Sequence, residues 1–387
     1  MLVIYLDYAA STPVDSEVLE IYYNTALKYY ANPNSNHEMG KSAKKKIDDA
    51  TKNIAKLLNI EKDEIIYTSG ATEANNLAIF GIAERYKNYG KHILLSTLEH
   101  NSIMSPATVL QERGFTVELI PVNKEGIIDI ETLKKMIRKD TILVSISTVD
   151  SEIGLVQPIE EIGKILKEYP NTYLHTDATQ AIGKVDINYE NIDLITMAPH
   201  KFYGMNDIGI LIKKKNVMLK PIVYGGRSTT VFRSGTPNTA GIVAASAALE
   251  KALINRKTRY QYVEKLNKKI VDFLKGYSFI HINNTEKSLP FTINFSIKGI
   301  SSKEFVEILN AKNIYVSQKT SCCPIETPSK LVYSLTKSKE LATSSIRVSL
   351  SHLTKEEEID EFIKIFKSCI KELEGNGKIS RDWKKYH

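Results

Sequence analysis

Apolar and amphipathic segments alternate along residues 40–215 of the chain. Each apolar segment is four to seven residues long, which predicts a strand. The segments between them carry apolar residues at helical spacing. This alternation is typical of an α/β fold in which helices cover both faces of a mainly parallel sheet. The seven predicted strands cover residues 64–68, 92–96, 116–121, 141–147, 172–176, 193–197 and 209–212.

A different pattern begins at Thr239. From there to about Lys275 the sequence contains few helix breakers, which predicts one long helix that leads away from the sheet and connects two domains. A smaller α+β unit follows, and its last helix is predicted to begin with a capping box formed by Thr354 and Glu357. The predicted domains are a large one over residues 14–255 and a small one over residues 1–13 and 256–387.

Length and cysteine content predict a globular protein that needs no disulfide or structural metal. At 387 residues the chain can bury a sizeable core. Its three cysteines, Cys322, Cys323 and Cys369, form neither a disulfide framework nor the paired clusters of a zinc site, so we expect no metal. No apolar stretch approaches the roughly 18 residues of a membrane span. We therefore expect a cytoplasmic protein that makes no membrane contact.

The net charge of +7 raises the question of nucleic-acid binding. The lysines are spread along helices among acidic residues, as in residues 43–49 (Ala-Lys-Lys-Lys-Ile-Asp-Asp), and this mixture favours solvated helix faces. We expect no direct contact with nucleic acid. A basic surface that meets acidic partner proteins, or tRNA bound to a downstream enzyme, remains an alternative.

Residues 69–76 (Ser-Gly-Ala-Thr-Glu-Ala-Asn-Asn) join a predicted strand to a predicted helix. The first N–H groups of a helix have no partner within the helix and lie at the positive end of its dipole, where a phosphate is stabilised. Gly70 and Ala71 allow close approach, and the Thr72 hydroxyl can donate a further hydrogen bond. Most junctions of this kind bind nothing, so the motif alone leaves the phosphate site open.

Asp177 and Lys201 follow the ends of two other predicted strands. The carboxyl ends of parallel strands meet at one edge of a sheet, where ligand crevices form. A carboxylate there can keep a pyridine nitrogen protonated, and a lysine beside an apolar strand end can form a Schiff base. The alternatives are an Asp that caps the next turn and a solvated surface lysine.

In this order, the three motifs resemble the fold-type I pyridoxal-phosphate enzymes, and specifically the class V branch that contains the NifS/IscS-type cysteine desulfurases. The resemblance extends from residues 5–13 (Tyr-Leu-Asp-Tyr-Ala-Ala-Ser-Thr-Pro) to residues 344–350 (Ser-Ser-Ile-Arg-Val-Ser-Leu) and the last helix. It implies pyridoxal phosphate as the cofactor, L-cysteine as the substrate, and a homodimer. It further implies that sulfur passes to an acceptor protein for iron–sulfur cluster assembly or tRNA thiolation.

The resemblance assigns the cofactor-binding residues at matching positions. Lys201 is expected to bind the cofactor covalently and to move protons, while Asp177 pairs with the pyridine nitrogen. His100 is expected to stack on the ring and to help move protons; a surface histidine at a helix start is its alternative. The remaining expected contacts are Gln180 and Ser151 near the phenolic oxygen, Ala71, Thr72 and His200 at the phosphate, and Thr236 at the phosphate of the neighbouring subunit.

The same resemblance assigns substrate binding and the sulfur acceptor. Arg347, assisted by Asn32, is expected to bind the substrate carboxylate through its guanidinium fork, although Arg347 alone could equally form a structural ion pair. Members of the branch carry a cysteine on a loop before the Ser-Ser-Ile-Arg segment, and Cys322 falls at that position, with Cys323 next to it. Cys322 is therefore the expected nucleophile, Cys323 its competitor, and Cys369 a packing residue of the last helix.

The chain departs from the family pattern at several positions. Ser151 stands where the family usually has an asparagine, and Ala198 removes a hydroxyl that usually contacts the phosphate. Each lost hydrogen bond would weaken cofactor binding by roughly 1–3 kcal/mol. Three alternatives to a desulfurase therefore stay open: a related lyase acting on selenocysteine or another β-substituted amino acid, an aminotransferase, and a degenerate paralogue that relays sulfur.

Overall fold

A computed structural model describes residues 3–226, 228–318 and 327–377. The strands are β1 (Ile4–Tyr5), β2 (Ile65–Thr68), β3 (His92–Ser96), β4 (Thr116–Ile120), β5 (Thr141–Ser145), β6 (Tyr173–Asp177), β7 (Leu194–Met197), β8 (Gly209–Lys213), β9 (Ile280–Ile282), β10 (Thr292–Ile297), β11 (Ile314–Tyr315) and β12 (Ser345–Ser349). The helices are α1 (Ser16–Lys28), α2 (Glu38–Leu58), α3 (Ala71–Tyr86), α4 (Asn101–Glu112), α5 (Ile130–Met136), α6 (Ile159–Leu166), α7 (Thr239–Ile254), α8 (Arg256–Leu274), α9 (Ser302–Asn310), α10 (Lys330–Thr336), α11 (Lys339–Thr343) and α12 (Glu356–Gly375). Short 3₁₀ helices cover Lys62–Glu64 and Pro199–Lys201.

The central sheet confirms the predicted mainly parallel, seven-stranded architecture. Its strand order is β2-β8-β7-β6-β5-β3-β4. The strands from β3 to β7 pair in parallel, whereas β8 runs antiparallel to both β2 and β7. The carboxyl ends of β3, β5, β6 and β7 therefore lie at the same edge of the sheet, which is where a ligand crevice is expected.

Successive residues of β3 pack into different cores. In β3, Ile93 and Leu95 join a cluster with Leu77 of α3 and Leu110 of α4, whereas Leu94 joins the cluster on the opposite face. Because side chains alternate across a strand, a strand covered on both faces reads as a continuous apolar run. This burial explains why the strands were evident in the sequence.

The single long helix predicted over residues 239–275 is wrong at Asn255. The structure has two helices there, α7 and α8, and Asn255 lies between them. Both the backbone N–H and the side-chain amide of Asn255 donate to the carbonyl oxygen of Lys251, at 3.3 and 2.9 Å. A side chain that competes for backbone carbonyls in this way ends a helix. The first helix, α7, packs against α1 and α2, and α8 contacts α12 and β10.

The C-terminal part is built on the antiparallel sheet β12-β10-β9. The N-terminal strand β1 pairs in parallel with β11, and Asp7 forms a bridge to Ser349 at the end of β12. Residues 3–11 therefore contact this part of the chain. The division into residues 14–255 and residues 1–13 with 256–387 stays a prediction.

The last helix begins one residue later than its predicted capping box. The backbone N–H of Lys355 donates to the carboxylate of Glu358 at 2.7 Å, so Lys355 and Glu358 replace the predicted Thr354 and Glu357. The Thr354 hydroxyl instead accepts a hydrogen bond from the backbone N–H of Ser351 at 3.1 Å. The buried Thr354 side chain therefore stabilises the turn before α12 and does not cap the helix.

Phe366 of α12 is the centre of the aromatic cluster that packs α12 onto the C-terminal sheet. It is fully buried, and its ring lies 5.1 to 6.5 Å from the rings of Phe273, Tyr277, Phe295, Phe305 and Phe362. We predict that Phe366→Ala lowers the free energy of unfolding by about 3–5 kcal/mol because it leaves a cavity. Urea denaturation measures the loss, with the exposed Lys364→Ala as the control. An unchanged midpoint would contradict this packing role.

Candidate active site

A cavity of about 430 Å³ lies at the carboxyl edge of the central sheet. Its volume is within the range of small-molecule sites. Its lining includes Ala9 and Ala10 near the N-terminus, residues at the ends of the central strands, and Arg347 of β12. The predicted site residues in its wall are Ala71, Thr72, His100, Ser151, Asp177, Gln180, His200, Lys201 and Arg347.

The N-terminus of α3 forms the anion-binding end of the cavity. The N-cap is Gly70, which supplies no side-chain hydrogen bond to the first turn. Gly209 of β8 allows the turn to lie close to the sheet, since a Cβ at Gly209 would be only 2.3 Å from the carbonyl carbon of Gly70. The carboxylate of Glu73 is neutralised by Arg233, whose Nε donates to it at 2.8 Å. The positive end of the helix dipole therefore remains available to a phosphate.

Asp177 forms the acidic end of the cavity. It is the last residue of β6, and its carboxylate accepts hydrogen bonds from the side-chain amide of Asn75 (2.8 Å) and the backbone N–H of Thr179 (2.9 Å). The same Asn75 amide donates to the Ser102 hydroxyl at 2.8 Å, and that hydroxyl lies 2.8 Å from Nδ1 of His100. Asp177 and His100 are thus connected through two buried polar side chains.

His100 is the N-cap of α4, and its Nδ1 accepts the backbone N–H of Ser102 at 3.2 Å. Burial lowers the pKa of His100; the nearby Lys201 also lowers it, whereas Asp177 raises it. A neutral imidazole in this position can accept or donate a proton at the cavity.

Lys201 ends the 3₁₀ helix that follows β7. Its Nζ donates to the carbonyl oxygens of Ala9 (2.9 Å) and Ala10. The Gln180 amide donates to the same Ala9 carbonyl at 2.9 Å, and the oxygen of that amide accepts from Lys184 at 2.9 Å. Burial, together with the positive charges of Lys201 and Arg347, lowers the pKa of Lys184 to about 7.

Arg347 is 1% exposed and is held by two acceptors. One terminal nitrogen donates to the Asp7 carboxylate at 2.8 Å, and the other donates to the Ser151 carbonyl at 2.7 Å. Its backbone pairs with Ser317, which accepts from the Arg347 N–H at 2.6 Å and donates to the Arg347 carbonyl at 3.1 Å. The described chain leaves the Nε of Arg347 without a hydrogen-bond partner.

A profile of the class-V aminotransferase family matches residues 4–362. The chain belongs to this family. A cysteine desulfurase IscS of Dictyoglomus turgidum is 35% identical over 386 residues, which cover 98% of this chain and 98% of that protein. A cysteine desulfurase IscS of Clostridium botulinum is 36% identical over 389 residues, which cover 99% of this chain and 98% of that protein.

Two solved structures share the fold at high similarity. A NifS-like protein superposes with a TM-score of 0.91 at 33% identity and covers 96% of this chain and 100% of its own. SspA in complex with cysteine superposes with a TM-score of 0.80 at 31% identity and covers 90% of this chain and 98% of its own. The fold-type I architecture expected from the sequence is therefore confirmed.

The residues in the wall fit pyridoxal phosphate. Among the described residues, three buried polar atoms in the wall of this cavity have no hydrogen-bond partner: Nδ1 of His200, the hydroxyl of Thr179 and Nε of Arg347. Buried polar atoms normally have partners, so a ligand rich in acceptors and donors is the simplest occupant. The helix N-terminus suits a phosphate, the carboxylate of Asp177 suits a protonated ring nitrogen, and Lys201 supplies an amine.

Four predicted residues lie apart from the wall of this cavity or outside the described chain. Thr236 is exposed beside a second, smaller cavity that includes Arg233 and Asn238. Asn32 is exposed, and its side chain accepts the backbone N–H of Asn34 at 2.9 Å, so within one chain the structure does not bring it to the main cavity. Cys322 and Cys323 lie outside the described residues.

Cys369 is fully buried in α12, as expected for packing, and burial raises its pKa to about 11.

Sequence reasoning missed several residues that shape the site. Asn75 is fully buried and bridges Asp177 to Ser102, and Asp7 binds Arg347. Asn75 follows Thr72 by one helical turn, so a polar residue on the buried face of α3 was a usable signal. Asp7 offered none, because its partner is 340 residues away.

We predict that His200 stays neutral through pH 6 in protein without cofactor, because burial, helped by Lys201, lowers its pKa from 6.5 to about 4. The unfolded chain then binds a proton at higher pH than the folded chain, so this histidine's contribution to stability is lost as the pH falls from 6.5 to 4. Imidazole resonances measure the titration, and His200→Gln identifies the resonance of His200. The same variant should reduce the slope of the stability profile in that interval, to which the buried His175 and His352 also contribute. Titration of His200 near 6.5 would contradict the burial argument.

Proposed function

We propose that this protein is a pyridoxal-phosphate-dependent cysteine desulfurase, which converts L-cysteine to L-alanine and transfers sulfur to one of its own cysteines as a persulfide. The observation that carries the proposal is the convergence of Lys201, Asp177 and Arg347 in the wall of one cavity that also contains a helix N-terminus. The cysteine desulfurases that it resembles support the choice of substrate.

Each end of the cavity offers the partner that one end of the cofactor requires. Ala71 and Thr72, through their N–H groups, and His200 would hold the phosphate, and Asp177 would hold the ring nitrogen. Gln180 and Ser151 lie on the remaining wall. When bound, pyridoxal phosphate supplies an electron sink for the charge that develops at Cα of the amino acid.

Protons at the substrate are moved by Lys201 and His100. The amine of Lys201 takes the proton from Cα after substrate binding, and the Ala9 and Ala10 carbonyls hold the protonated amine in place. The positive charge of Lys201 in turn disfavours a charge on the neighbouring Lys184. Neutral His100 exchanges a proton at the substrate sulfur.

Substrate cysteine is oriented by Arg347. A guanidinium group carries five N–H donors, and two of those of Arg347 are used by Asp7 and Ser151, so three remain for a carboxylate. We assign assistance to Asn32, which a second chain would have to bring near.

The sulfur acceptor is Cys322, with Cys323 as its competitor. The backbone of Ser317 pairs with that of Arg347, which lines the cavity. Cys322 follows Ser317 by five residues, and five residues span up to roughly 17 Å. The thiolate can therefore reach the substrate: it forms an S–S bond as the Cβ–S bond breaks, and the bonding electrons and a proton remain on the alanine product.

We further propose a homodimer and an acceptor protein for the persulfide sulfur, in iron–sulfur cluster assembly or tRNA thiolation. Apolar side chains are exposed near Thr236, including Tyr224 (71% exposed) and Val231 (65%), and a second group lies on one side of α1 at Leu19 and Tyr23. A surface of this kind is stabilised when a second chain covers it. The cytoplasmic location stays a prediction.

The central test of the function is a comparison of cysteine and lysine variants. Purified protein should show a cofactor absorbance band and should release alanine and sulfide from L-cysteine in the presence of a reductant. Lys201→Ala should lower the rate by about 10² to 10⁴-fold, because it removes the proton-transfer group. Cys322→Ala should abolish the persulfide, and Cys323→Ala should retain most turnover.

Cys369→Ala serves as the matched thiol control and should keep full persulfide formation, since Cys369 is buried away from the cavity. No cofactor band in the wild type, or unchanged sulfide release by both loop variants, would refute the proposed reaction.

If the protein is a homodimer of this kind, substitutions at Val231 and Thr236 should have different effects on oligomeric state and on cofactor affinity. Val231→Glu should give a monomer in light scattering, because a charge would be buried in the interface. Thr236→Ala should remain dimeric but bind the cofactor about 10-fold more weakly, because one hydrogen bond to the phosphate is lost. Leu119→Glu, an exposed leucine on β4, is the control. A dimeric Val231→Glu variant with normal affinity would contradict this interface.

A further inference from the structure

Hydrogen bonds to the backbone of Leu6 and Asp7 fix the position of Asp7. Its carbonyl accepts the backbone N–H of Ala10 at 3.0 Å and the hydroxyl of Tyr5 at 3.0 Å. The preceding Leu6 carbonyl accepts the N–H of Ser349 at 2.8 Å, which ties the segment to β12. The Asp7 carboxylate is therefore presented from a rigid turn.

This carboxylate contacts a residue of the cavity wall without being part of that wall. Arg347 lines the cavity, whereas Asp7 does not and is 18% exposed. Asp7 occupies one terminal nitrogen of the guanidinium and Ser151 occupies the other. Two acceptors on different nitrogens fix the plane of the group, and the donors that remain are those available to a ligand.

Residues 7–12, which we call the N-terminal segment, also contact the residues around Lys201. The carbonyls of Ala9 and Ala10 accept from Lys201, and the Thr12 hydroxyl donates to the carbonyl of His200 at 2.9 Å. One continuous stretch of six residues therefore holds Arg347 at one end and the Lys201 turn at the other. The relative placement of the two depends on this segment.

We propose that Asp7 is a positioning residue for Arg347 and directs its guanidinium group towards the carboxylate of the amino-acid substrate. This role rests on the proposed function, because it assigns the substrate carboxylate to Arg347. In this role Asp7 acts through Arg347, since it is not among the residues that line the cavity. It selects ligands that carry a carboxylate, through the orientation and charge balance of the buried arginine.

Two ligands that differ only in a carboxylate, L-alanine and ethylamine, test this role. Binding of each is followed by the absorbance change of the bound cofactor, and it requires no desulfuration. Asp7→Ala should weaken L-alanine binding by about 10-fold or more and change ethylamine binding less than about twofold. Asp7→Asn keeps an acceptor oxygen without the charge and should give an intermediate loss. With L-cysteine, KM should rise while kcat changes little.

Asp186→Ala is the matched control, because it removes a bidentate ion pair with Arg256 on the surface. Thermal unfolding of the cofactor-free variants shows whether they are folded, and Asp7→Asn decides the question if Asp7→Ala does not fold. Equal weakening of both ligands would show a merely structural role, and unchanged L-alanine binding would also overturn the proposal. Wild type that binds L-alanine but releases no sulfide from L-cysteine would refute the desulfurase assignment and leave the Asp7 result standing.

Discussion

Burial of the Arg347 guanidinium is the constraint on which the arrangement of the site depends. A cation removed from water has to be paired and hydrogen-bonded, or the fold loses several kcal/mol. The partners of Arg347 come from distant parts of the chain: Asp7 from the N-terminus, Ser151 from the loop after β5, and Ser317 through the backbone. One side chain therefore requires the N-terminal segment, the central sheet and the C-terminal sheet to meet at one place.

That meeting point also concentrates titratable groups away from bulk water. Burial lowers the pKa of Lys184 to about 7 and raises that of Glu99 to about 8, although Glu99 accepts two hydrogen bonds from Ser147. His200, with a pKa lowered to about 4, has an unpaired nitrogen at the cavity. Groups whose charge is this easily changed cluster at functional sites, because a ligand of opposite charge stabilises them when it binds.

Local patterns in the sequence predict the strands and the motifs at their ends, and the remainder depends on contacts between distant residues. Six of the seven strands are apolar because they are covered on both faces, whereas the edge strand β4 is largely exposed. Thr72, Asp177 and Lys201 lie at or shortly after the ends of strands. Asn255 was missed because the break depends on a side chain that binds Lys251 one turn earlier. Gly209 was missed because its need for glycine arises from the approach of Gly70, 139 residues away.

The unusual residue at 151 is compatible with an intact site. The Asp150 carboxylate accepts the backbone N–H groups of Glu152, Ile153 and Leu155 at 2.7, 2.8 and 2.6 Å, which fixes the loop. Ser151 holds Arg347 through its carbonyl oxygen, which every residue type has. Replacement of the usual amide by a hydroxyl at Ser151 therefore affects the wall of the cavity but not the position of Arg347. The loop is fixed by a carboxylate that binds its backbone, and this leaves the side chain at 151 free to vary.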